Sequence, residues 1–98
     1  MPVEIISQSA GEPRRYQLSP EPSEEWWRAF DRAARQSTVV GWTLPGVEVQ
    51  RISGSDVEAT GVTVENSLEV DTAVRSLVKQ ANHRVLLNHI NRPYVVAR

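Results

Sequence analysis

The sequence predicts a two-layer α+β sandwich: an antiparallel sheet of four or five strands with two helices packed on one face. Three observations carry this expectation. Alternating hydrophobicity recurs over 3–7, 14–18, 38–44, 47–52 and 57–64, the period-2 pattern of half-buried strands. Two longer stretches, 24–36 and 68–90, space their apolar residues at helical intervals. The segments between them are rich in Gly, Pro and Ser. The element order is therefore β-β-α-β-β-β-α, in one domain spanning residues 1–98.

Val3 to Ser7 reads as a short strand with Val3 and Ile5 on one face and Ile6 on the other. A Gly- and Pro-containing loop follows. Arg14 to Leu18 then places Tyr16 and Leu18 on one side and pairs back as a hairpin. Ser19-Pro20-Glu21-Pro22 fits neither a helix interior nor a central strand.

The first helix begins at Ser23, whose hydroxyl suits an N-cap, with Glu24 and Glu25 at the positive end of the dipole. Trp26, Trp27, Phe30, Ala33 and Ala34 form its apolar face. Adjacent residues diverge by about 100°, so one tryptophan is expected in the core and the other partly exposed. Arg28, Arg32 and Arg35 run down the opposite side, with Glu24–Arg28 and Asp31–Arg35 as i,i+4 pairs. The helix should stop near Gln36, where β-branched residues begin.

Three strands are expected next. Thr38–Leu44 puts Val40, Trp42 and Leu44 on one face, and Pro45-Gly46 makes a turn. Val47–Ile52 turns Val47 and Val49 inward; Ile52 breaks the alternation, which suggests a bulge near Arg51. Val57–Val64 places Thr60, Val62 and Val64 on one face. Gly41 and Gly61 interrupt their strands and would permit close approach of a helix.

The second helix opens at Asn66 or Ser67, with Asn66 and Glu69 at capping-box spacing. Val70, Val74, Leu77, Val78, Ala81 and Val85 make one continuous stripe for the sheet. Leu86, Leu87 and Ile90 project roughly 160–260° away from Val70. A second apolar face on so short a chain needs a cover: either the tail around Tyr94–Val96, after a helix end at Asn91-Arg92-Pro93, or another molecule.

Composition narrows the function. Hydrophobic residues make up 40% and charged residues 23%, and 11 basic residues balance 12 acidic ones for a net charge of −1, so no global field recruits nucleic acid or acidic lipid. With no cysteine there is no disulfide, thiolate metal site or cysteine nucleophile. Neither a membrane-spanning run nor a signal peptide is visible, so the expected compartment is the cytoplasm. Ten arginines against the single Lys79 suggest a GC-rich genome of bacterial or phage type.

Catalytic signatures are not found. His83 and His89 lie about 240° apart on a helix and cannot share a metal ion. Ser53-Gly54-Ser55 is accounted for as a turn, and no G-x-S-x-G, GxGxxG or Walker motif occurs. The expectation is a protein that is not an enzyme and uses no cofactor. In element order, residues 24–90 (α-β-β-β-α) resemble the double-stranded-RNA-binding domain. That family grips phosphate with a lysine-rich KKxAK motif at the start of its last helix. Here the segment is Ser67-Leu68-Glu69-Val70-Asp71, which is acidic, so the function does not carry over.

The expected function is thus a small non-catalytic protein-binding module, either a homo-oligomer, with a homodimer expected, or an inhibitor or adaptor docking on a larger protein. Leu86, Leu87, Ile90, His83 and Tyr94 would form its binding face. The alternative is a nucleic-acid-binding module using Arg28, Arg32 and Arg35.

Overall fold

The computed structural model describes residues 2–9, 12–36 and 46–96. The expected strand Thr38–Leu44, with its Gly41, lies outside the described residues. Four strands, β1 (Glu4–Gln8), β2 (Arg14–Ser19), β3 (Glu48–Arg51) and β4 (Asp56–Thr60), form one antiparallel sheet in the order β1-β2-β4-β3. The helices α1 (Glu24–Gln36) and α2 (Ser67–Val96) complete an α+β arrangement. The N-terminal hairpin is integral to the sheet, since β2 sits between β1 and β4.

Val3, Tyr16, Leu18, Val57 and Ala59 on the sheet side meet Trp26, Trp27 and Phe30 of α1 and Val70, Val74, Leu77, Val78 and Ala81 of α2 in one buried cluster. The strand alternation is that of a sheet with one covered face. The inward residues of β4 are Val57 and Ala59, which reverses the expected parity; Val64 is 92% exposed. The strand stops before Val62 and Val64, at Gly61. Gly61 has a φ of 81°, and a Cβ there would strike the carbonyl oxygen of Gly46. The close approach is thus to backbone rather than to a helix.

The bulge is in β1, not near Arg51. Pairing of β3 with β4 is regular from Glu48 to Arg51, and Ile52 simply follows the strand end. In β1 the register slips between Ile5 and Ser7, so Ile6 is displaced outward and Gln8 pairs opposite the inward Tyr16.

Ser23 caps α1: its hydroxyl accepts from the Trp26 amide at 3.1 Å, and its carbonyl from the Trp27 amide at 3.0 Å. Both tryptophans are core, at 3% and 4% exposure, in contrast to the expectation of one exposed ring. The rings pack edge to face with centroids 5.1 Å apart. Each indole N–H finds an acceptor, Asn82 Oδ1 for Trp26 and the Gly54 carbonyl for Trp27, and the Arg51 guanidinium covers Trp27 at 4.7 Å. Arg51 also captures Glu24 at 3.2 Å, so the ion pair Glu24 forms is with β3 and not with Arg28, whereas Asp31–Arg35 forms as expected at 2.8 Å.

At the start of α2 the Asn66 carbonyl accepts the Val70 amide. The Asn66 side chain turns back to accept from the Thr63 amide at 2.7 Å, closing the preceding turn. The helix does not end at Asn91 but continues through Pro93 to Val96. A proline forfeits one helical hydrogen bond, yet its fixed φ of about −65° is itself helical. Tyr94–Val96 therefore prolongs the helix and does not fold back as an edge strand over the preceding turns.

Candidate functional site

At about 1.5 Å per residue, the 30-residue α2 is roughly 45 Å long, against about 20 Å for the longest strand, β2 with six residues. Its C-terminal half must overhang the sheet, and this is where the second apolar face lies. Leu86 is 55% exposed and Ile90 46% exposed.

The residues expected to make one patch divide between two surfaces. Leu86, with His83, Val85 and His89, faces Pro20, Pro22 and Trp26 across a groove of about 690 Å³. Leu87 is half-buried and turns the other way, into the seam between α2 and α1, beside Ala29, Arg32 and Arg84. Ile90 stands one turn beyond Leu86 on the same side. The side chain of Tyr94 lies outside the described residues.

Asn82 fixes the proline-lined groove. Its Oδ1 accepts from the Val3 amide at 3.0 Å and from the Trp26 indole at 2.8 Å, while its Nδ2 donates to the Val3 carbonyl at 2.9 Å. One side-chain amide thereby joins the entry to β1, α1 and α2. At the far end, Glu25 accepts from Asn88 Nδ2 at 3.2 Å and sits 3.2 Å from His89 Nε2. Both histidines line that groove: His89 Nε2 lies 3.2 Å from Glu25, and His83 stays exposed.

The arginine stripe is also divided. Arg35 is held by Asp31, whereas Arg28 and Arg32 line the α1–α2 seam and are joined there by Arg84, a residue the stripe did not include.

A polar cluster that the periodicity did not reveal lies under the first turns of α2. Asp71 is buried on the sheet side and accepts from Arg14 through both carboxylate oxygens, at 2.7 and 3.0 Å. Tyr16 donates its hydroxyl to the same carboxylate at 2.6 Å, and Gln8, delivered inward by the bulge, approaches at 3.4 Å. Burial alone would raise the Asp71 pKa, but the hydrogen bonds from Arg14 and Tyr16 outweigh it and hold the carboxyl below its usual range. Burial first, then the hydrogen bond to Asp71, drive the Tyr16 phenol strongly upward. Among the described residues no buried side-chain nitrogen or oxygen lacks a hydrogen-bond partner. The cluster is a clamp fastening α2 to the hairpin. Its signal in the sequence was Asp71 itself, an acid one position from the Val70 stripe.

Among the described residues no group of three or more His, Asp or Glu side chains is placed to hold a metal ion. No described helix is long and apolar enough to cross a membrane. No family model matches the chain, and no curated protein or solved structure matches it significantly.

Proposed function

We propose that this protein is a small non-catalytic protein-binding module of bacterial or phage type, working in the cytoplasm and docking through the outer face of the C-terminal half of α2. The observation that carries the reading is the exposure of Leu86 and Ile90 beside the groove floored by Trp26 and Val85. Exposed large aliphatics next to a preformed apolar groove are the ordinary signature of an interaction surface. Helical continuation through Pro93 removes the tail as an internal cover. The favoured occupant is a second copy of the chain, because a two-fold axis lets the same patch serve both partners.

Light scattering over a concentration series tests the reading. The wild type should approach twice the monomer mass, and Leu86→Asp combined with Ile90→Asp should give a folded monomer. A wild type that stays monomeric at millimolar concentration would sink the dimer. A double variant that still dimerises would move the interface elsewhere.

A further inference from the structure

The outer seam between α1 and α2 meets the proline-lined groove at His83, which lines both, but its chemistry is different. Two adjoining hollows of about 400 and 540 Å³ share Ala29, Arg32 and Arg84, and their described linings come from the two helices alone. Arg28 and Arg32 reach the seam from α1, Lys79 and Arg84 from α2. The chain as a whole has a net charge of −1. Among the described lining residues the single carboxylate is Glu25, which is engaged by Asn88 and His89. None of the ion pairs among the described residues uses Arg28, Arg32, Lys79 or Arg84. Between these cations the floor is apolar, made by Ala29, Ala33 and Leu87.

We propose that this seam binds an acidic amphipathic helix of a partner protein. Its carboxylates would meet Arg28, Arg32, Lys79 and Arg84, and its apolar edge would rest on Leu87 and Ala29. The α2 lining runs from Ser76 to Asn88, about 18 Å of helix, which matches roughly three turns of a docked helix. The apolar floor distinguishes this partner from a nucleic acid. A phosphate backbone brings charge but no hydrocarbon to fill the space beside Leu87, and a net-negative chain supplies no long-range attraction for a polyanion. The inference goes beyond the proposed dimer and does not depend on it, because the seam and the Leu86–Ile90 side are different faces of α2.

The test is an amide-resolved NMR titration of the whole chain with a capped three-turn peptide carrying Leu at i and i+4 and Glu on the flanking positions. A scrambled peptide of the same composition and a short RNA duplex serve as competitors. Saturable shifts should appear at Ala29, Arg32, Arg84 and Leu87 and weaken with salt. Arg32→Glu with Arg84→Glu should reduce affinity by roughly tenfold or more, as expected for reversed charge complementarity. Leu87→Ser should weaken it further, and Leu86→Asp with Ile90→Asp should leave it unchanged. Four results overturn the proposal: no shifts at millimolar peptide, equal binding of the scrambled peptide, tighter binding of the RNA, or peptide binding unaffected by the charge reversal.

Discussion

The two halves of α2 are made from similar residues and do opposite things. From Val70 to Ala81 the helix lies on the sheet with Val70, Val74, Leu77 and Ala81 fully buried. From His83 to Ile90 it overhangs, and its aliphatics face a groove, a seam and solvent. The polar residues differ in the same way. Asp71 is a buried anchor gripping Arg14 and Tyr16, whereas Arg84 has no ion-pair partner among the described residues. The difference teaches that an apolar stripe becomes core only where something lies opposite it. Beyond the sheet, the same helix offers its apolar residues to other molecules.

The sharpest way to break the comparison is to cut a side chain from each half. Leu77→Ala should cost about 2–5 kcal/mol by transfer and cavity terms together, read as a fall in the denaturation midpoint. An unchanged midpoint would mean that the first half is not core. Asp71→Asn should cost about 3 kcal/mol, because the partly buried Arg14 guanidinium loses its counter-charge. The pH dependence gives an independent check. With its folded-state pKa lowered, Asp71 contributes stability fully above the ordinary carboxylate value and loses it as pH falls through the lowered one. Wild type should therefore lose stability in acid over that window, and Asp71→Asn should be flatter there. Tyr16, shifted the other way, contributes stability below its ordinary value of 10.0 and loses it in strong alkali.

Asn82→Ala sits at the boundary between the halves. It should cost about 1–3 kcal/mol by leaving the Val3 backbone and the Trp26 indole unpaired. Hydrogen exchange should accelerate at the Val3 amide before it changes at Leu77; uniform acceleration would argue against a local pin. The smallest effect is expected from Leu86→Asp with Ile90→Asp. Measured at a concentration where both proteins are monomeric, folding stability should move by no more than about 0.5 kcal/mol per site, as for ordinary surface positions. A large loss there would erase the distinction between the halves.

Much of the fold was legible because its signals are local. The hairpin, the Ser23 cap, and the Tyr16–Leu18 and Val70–Ala81 faces each follow from a few adjacent residues. What failed depended on distant chain. The end of β4 is marked by Gly61 meeting Gly46, and Trp27 is covered by Arg51 lying over it. Glu24 had two arginines within reach of different kinds, and the one across space prevailed. For the candidate site, helical angles correctly placed Leu86 and Ile90 away from the core. They could not show that Leu87 and Arg84 meet Arg32, because that depends on how α1 crosses α2.

The place of β2 has a consequence for the order of events during folding. Synthesis delivers the β1–β2 hairpin early, but its neighbour β4 is made some forty residues later, Arg14 pairing with Ala59. The Tyr16 hydroxyl waits longer still, 55 residues, for Asp71. Until then the inner edge of β2 has open backbone groups and an uncovered Tyr16–Leu18 face, a surface prone to mispairing. Closing such long loops before any gain from packing also slows folding. The cooperative step therefore belongs late, when α2 arrives to bind the hairpin through Asp71 and the entry strand through Asn82.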